Sequence, residues 1–181
     1  MTVAPVGAAA LGWITGADPV PVAVHASLRT DRLGYAPDDA YVEAFWLPIL
    51  GPSSILALRR LHTWLTVAPD GFSVPLATLG ECLGLGHGTG RHASIVRTLG
   101  RLVDFHLATI EADRYLLAQT VPLLSPRLLR RLPPGLLTAH EQLIQGSTRP
   151  VEQASPAALF TPLPISLHTG VHPSRSAPPV R

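Results

Sequence analysis

Leu76-Ala77-Thr78-Leu79-Gly80-Glu81-Cys82-Leu83, then Gly84-Leu85-Gly86-His87-Gly88-Thr89-Gly90, then Arg91 through Phe105, then Ala108-Thr109-Ile110-Glu111 and Arg114-Tyr115-Leu116-Leu117: the reading of this run decides the fold. Leu76, Leu79 and Leu83 share one face of a short helix. Gly84 stands where a helix C-cap wants positive φ. Thr89 is placed to cap the helix that follows, expected from about Arg91 to Phe105. At 100° per residue Ile95, Val96, Leu99, Leu102, Val103 and His106 fall in one apolar sector. Ser94, Arg97, Arg101 and Asp104 fall opposite. Two alternating stretches, Ala108–Glu111 and Arg114–Val121, then flank Ala112-Asp113 as a hairpin ended by Pro122.

Upstream, Ser53 to about Val67 reads as the first long helix. Ile55, Leu58, Leu61 and Leu65 give its stripe, and Pro69-Asp70-Gly71 stops it. Phe72-Ser73-Val74 is a short strand ended by Pro75. Asp38 and Asp39 offer caps for a shorter helix through Trp46, with Tyr41, Phe45 and Trp46 on its apolar side and Pro48 as its stop. Downstream, Ser125-Pro126 opens a basic helix carrying Arg127, Arg130 and Arg131. After Pro133-Pro134-Gly135, Leu136 to Gln145 makes the last helix.

The 181 residues allow one ordinary domain, and the 19 prolines crowd towards the two ends. Three regions follow: a flexible Pro/Ala-rich arm over 1–37, a domain over 38–145, and a disordered Pro/Ser-rich tail over 146–181. Within the arm, Val20, Val22 and Val24 allow a short edge strand, and Trp13 and Tyr35 could dock on the domain. The expected class is mainly α with a small β-hairpin.

All 14 basic residues are arginine, a pattern that fits GC-rich coding as well as function. Residues 1–50 carry two arginines against five acids, net −3; residues 51–145 carry nine against six, net +3; residues 146–181 carry three against one, net +2. The middle is basic enough for phosphate contact but not for strong non-specific binding. One cysteine, Cys82, excludes an internal disulfide and fits a reducing cytosol. No signal peptide or membrane span is visible, so a cytoplasmic protein is expected.

The order helix, strand, helix, turn, helix, hairpin resembles a winged helix-turn-helix domain. Leu50-Gly51-Pro52-Ser53-Ser54-Ile55-Leu56-Ala57-Leu58 resembles the opening of the N-terminal domain of DnaD-type replication proteins. Tyr41–Gln145 as a whole is similar to uncharacterised actinobacterial winged-helix proteins. The resemblance implies double-stranded DNA as partner, for a transcriptional regulator or replication-associated factor. It would place Ser94, Arg97, Thr98 and Arg101 towards the major groove, Arg91 at the helix start and Arg114 on the wing. The turn is longer and richer in glycine than the usual pattern, and Glu111 and Asp113 sit on the wing. The DnaD-type domain is implicated in self-association, so a homodimer or protein partner is the alternative, with Phe45-Trp46-Leu47 as its apolar contact.

Arginine can grip guanine or phosphate through paired donors, and Arg97 and Arg101 lie one turn apart. The plain alternative is a solvated face with an Arg101–Asp104 ion pair, worth little. For Arg127, Arg130 and Arg131 the solvated reading is the stronger. The glycine run is not a nucleotide loop. It follows a helix, lacks GK[ST], and in GxGxxG register ends on Thr89 or Arg91. Cys82, His87, His92 and His106 are too scattered for a metal site. Cys82 reads as a small buried residue, and His62 and His106 as core or boundary residues on apolar helix faces. No catalytic set, cofactor motif or metal motif is present, so a binding protein rather than an enzyme is expected.

Overall fold

A computed structural model describes residues 6–25 and 34–146, which belong to one compact unit. The predicted tail, apart from Gly146, and residues 1–5 and 26–33 of the predicted arm lie outside the described residues.

The first correction concerns the arm. Val6–Gly16 forms helix α1, and Val20–Val24 forms strand β1. The other strands are β2 (Phe72–Val74), β3 (Ala108–Glu111) and β4 (Arg114–Leu117). The sheet order is β2-β1-β4-β3. β1 is therefore an inner strand, not an edge. It runs antiparallel to β2, with Val22 opposite Phe72, and parallel to β4, with Val22 opposite Tyr115. Proline is normally excluded from inner strands because it cannot donate to a ladder. Pro21 escapes this because the ladder to β4 begins only at Val22. Prolines spaced this way stop a long helix and leave a short strand free to form. The result is a mixed α/β fold rather than a mainly α one.

The described helices after α1 are a π-helical turn at Val42–Trp46, α2 (Leu47–Leu50), α3 (Pro52–Val67), α4 (Leu76–Cys82), α5 (Ser94–Asp104), α6 (Pro126–Leu129) and α7 (Pro134–Gly146). Pro48 does not stop the first of these. The wide π turn just before it takes up the missing hydrogen bond and the ring clash, and the helix carries on as α2. Gly51, at φ 79°, then breaks the chain, and Pro52 opens α3 at its first position. Ile55, Leu58, Leu61 and Leu65 are all buried, as their spacing predicts. α7 begins at Pro134, two residues ahead of the predicted start, because proline suits a first helical turn.

The arm also completes α4. Pro75 caps that helix with no side-chain bond. Asp18 supplies the missing acceptor, its Oδ1 taking the Leu76 N–H at 3.0 Å. At the far end the Leu85 N–H returns to the Gly80 carbonyl at 2.8 Å, with Gly84 at φ 68°, as the C-cap reading requires. Cys82, expected in the core, is exposed on the last turn.

α5 starts at Ser94, three residues later than predicted. Its N-cap is Ala93, with no side-chain cap bond, so Thr89 does not cap it. The helix also ends before His106. The His106 N–H bonds the Val103 carbonyl at 3.0 Å, and the Leu107 N–H bonds the Leu102 carbonyl at 2.9 Å. These two bonds make a Schellman motif with His106 in the left-handed position, φ 57°. His106 is thus exposed at a turn rather than seated on the apolar face. Left-handed backbone costs a non-glycine residue about 1–2 kcal/mol, partly offset by the extra freedom glycine gains on unfolding. His106→Gly is therefore expected to raise stability by about 0.5–1 kcal/mol. Urea denaturation checks it, and a lowered midpoint would show that the His106 ring has a contact of its own.

The hairpin turns through Ala112 (φ 47°) and Asp113 (φ 57°), the geometry of a type I′ turn. The second strand closes sooner than its predicted end at Val121. Val121 pairs instead with Tyr35, their N–H and carbonyl groups exchanging two bonds at 2.8 Å. Tyr35 in turn stacks on Tyr41, ring centroids 4.0 Å apart. Tyr41 is buried, and desolvation pushes its phenol up to about 12. Its oxygen accepts the Leu124 N–H at 2.9 Å and lies 3.0 Å from His140 Nε2. Burial lowers the His140 pKa, which favours the neutral ring whose Nε2 can accept a hydrogen bond from the Tyr41 hydroxyl.

Candidate nucleic-acid interface

α5 is buried over most of its circumference. Ile95, Val96, Leu99, Leu102 and Val103 enter the core, and Tyr115 beneath them donates its hydroxyl to the Leu99 carbonyl at 2.9 Å. Full burial pushes the Tyr115 phenol well up, so it remains a neutral donor. What α5 leaves exposed is one strip: Ser94, Arg97, Arg101 and Asp104. Thr98, expected on that strip, is only 7% exposed and lies at its buried margin. Arg91 precedes the helix in the turn and is exposed, and Arg114 is exposed on the hairpin opposite Glu111. The fold brings Ser94, Arg97, Thr98 and Arg101 to one surface; Arg91 and Arg114 do not line it.

That surface is the floor of an open groove of about 450 Å³. Leu11 of α1 forms one wall. The segment Leu50 to Ser54, at the join of α2 and α3, forms the other. α1 comes so close because Gly100 has no side chain. A Cβ there would stand 2.7 Å from Leu11 Cδ2. Gly80 serves the turn in a similar way: a Cβ on it would collide with the Gly86 carbonyl oxygen. The long glycine-rich turn can therefore fold back on α4.

The two central arginines differ. Arg101 donates from Nη2 to the Ile49 carbonyl at 2.6 Å and lies over the Phe105 ring, 5.5 Å from its centroid. It ties α5 to α2, and among the described residues it forms no ion pair with Asp104, the plain alternative for this face. Arg131 covers the same ring at 5.7 Å, and Phe105 meets Trp46 edge-on at 6.4 Å. Among the described residues no ion pair engages Arg97, whereas Arg59 pairs with Glu43 at 3.1 Å. Arg97 is the cation that α5 presents without a structural task.

Sequence reasoning missed Leu11 and Ser54. A signal for Ser54 was present, because it lies four residues before Leu58 and seven before Leu61, on the buried stripe. Leu11 gave none; only Gly100 in mid-helix hinted at a close neighbour. Trp46, offered as a contact for a partner, is 2% exposed, and its Nε1–H donates to the Pro122 carbonyl at 2.9 Å. Phe45 is buried with it.

Among the described residues no group of three or more His, Cys, Asp or Glu gathers as a metal site would need, and no helix is long and apolar enough to cross a membrane. Comparison with protein families, with curated proteins and with solved structures found no match for this chain.

Proposed function

We propose that the chain is a winged-helix protein that binds double-stranded DNA through α5, as a cytoplasmic transcriptional regulator or replication-associated factor, and that it is not an enzyme. The observation that carries this reading is the single exposed strip of α5, with Arg97 unpaired on it, on the helix that follows the glycine turn and precedes the hairpin. A helix of this kind fits the major groove, where arginine reads guanine through two donors. Arg91 and Arg114 would hold the backbone on either side. Arg101 would contribute charge from a fixed position, since its guanidinium keeps donors beyond the one given to Ile49.

The partner-binding alternative loses the contact that suggested it, because Phe45 and Trp46 belong to the core. DNA binding is tested by anisotropy with random duplex at about 50 and 200 mM salt. Two phosphate contacts predict a fall in affinity of about tenfold across that range. Arg97→Ala is expected to cost about 1–3 kcal/mol on a preferred site while leaving the melting temperature unchanged. Arg101→Ala is the poorer probe, because it also unties α5 from α2. A flat salt response, or an Arg97→Ala protein that binds as the parent does, would sink the duplex reading.

A further inference from the structure

The groove over α5 holds two hydroxyls that the fold does not use. Ser54 is 2% exposed and Thr98 7%, and both line the groove. Helical serine and threonine ordinarily return the hydroxyl to a carbonyl three or four residues back. Thr15, Thr63, Thr66 and Thr138 do so, at 2.7–3.2 Å. Among the described residues Ser54 and Thr98 have no side-chain hydrogen-bond partner. Among the described residues every fully enclosed side-chain nitrogen or oxygen has a partner. The Ser54 and Thr98 hydroxyls therefore keep part of the slight exposure of their residues, on the groove that both residues line.

More donors converge on the same place. Ser53 and Ser54 occupy the first turn of α3, a helix of 16 residues whose N-cap, Gly51, has no side chain to satisfy it. The first helical bond runs from the Ile55 N–H to the Gly51 carbonyl at 3.2 Å, which leaves the Ser53 and Ser54 N–H groups ahead of it. Arg97 and Arg101 stand across from them on α5. Among the described residues Asp104, on the last turn of α5, is the one acid lining the groove. It repels an anion from that end and so favours the end near Ser94 and Arg97.

We propose that this groove is a phosphate site: it takes a phosphomonoester or phosphodiester group between the first turn of α3 and the Arg97–Arg101 edge of α5, with the Ser54 and Thr98 hydroxyls as donors. These two hydroxyls meet only water in the groove, and alanine or valine would serve the core about as well. A tetrahedral anion with several acceptor oxygens can replace that water on both hydroxyls, and helix starts and arginines favour its charge. Where the phosphate belongs to a duplex backbone, the inference rests on the DNA reading. Where it belongs to a small phosphoester, it stands without it.

The test uses the full chain, with inorganic phosphate as probe and chloride matching the ionic strength. Amide resonances of Ser53, Ser54 and Thr98 are expected to shift saturably. Ser54→Ala/Thr98→Val is expected to bind phosphate about tenfold more weakly or worse, with a melting temperature unchanged or raised. Thr98→Ser, which keeps the hydroxyl, should bind as the parent does. No saturable shift, or undiminished binding by the double variant, would overturn the site. If the double variant does not fold, Ser54→Ala alone decides in the same way. A random duplex run beside it identifies the source. Mutual competition between duplex and phosphate assigns the groove to the DNA backbone. Phosphate binding without duplex binding assigns it to a small phosphoester, and the DNA reading then fails while the site stands. Duplex binding with no phosphate response removes the site and leaves the DNA reading in place.

Discussion

A chain shortened by its first 25 residues is expected to lose cooperative folding altogether. Ile14, Val20 and Val22 leave with that segment, and all three are buried to 2% exposure or less. Each such side chain contributes about 1.5–3 kcal/mol, so the three together approach the 5–15 kcal/mol that holds a typical domain. The loss is larger than their burial alone. Without β1, β2 has no neighbour and one side of β4 is bare. The α4 N-terminus loses its acceptor on Asp18. Circular dichroism melting and amide dispersion of the shortened protein check this. A cooperative transition within a few degrees of the parent would show that the hairpin and the helices hold together unaided.

Trp46→Ala is expected to cost about 3–5 kcal/mol, the range for emptying a large aromatic site in a core. The indole fills space beside Phe105, and its N–H satisfies the Pro122 carbonyl. Removing it leaves a void and an acceptor without its donor. Phe105 is also the ring that Arg101 and Arg131 cover, so the α5 edge of the groove should loosen with it. Urea denaturation with an unchanged m-value measures the loss. A cost below about 1 kcal/mol, the scale of an ordinary surface change, would mean that Trp46 is not buried in solution. It would return the Phe45-Trp46-Leu47 segment to the list of partner contacts.

The contrast between α3 and β1 shows what a sequence can disclose. In α3 the stripe Ile55, Leu58, Leu61, Leu65 repeats at the helical spacing, so the element carries its own evidence. The hairpin does likewise, through its alternation and the Ala112-Asp113 turn. β1 is five residues with a proline at its second position, and what stabilises it comes from Phe72 and Tyr115, far along the chain. Strand preference of this sort is set by neighbours more than by the residues themselves. α1 is apolar nearly throughout, so no face stands out; the face it buries is fixed by Gly100 on α5. The candidate site divides along the same line. The exposure of Ser94, Arg97 and Arg101 follows from angular position on one helix. The burial of Thr98 follows from what packs beside that helix. The groove needs α1, α3 and α5 together, and no single stretch encodes it. His106 escaped because the α5 pattern runs one residue past where the backbone turns.

The inner place of β1 also bears on how the protein is made. Val24 lies beside Leu117, and 93 residues separate the two. At ribosomal speeds of 5–20 residues per second, the first strand emerges about 5–20 s before its parallel neighbour exists. For the first half of that interval β2 does not exist either; for the rest the valine-rich strand can find β2 but has an open second side. A nascent chain in this state carries an unpaired strand edge. Pro21, placed at the start of the strand, would then also help keep early, mistaken pairings from spreading along it.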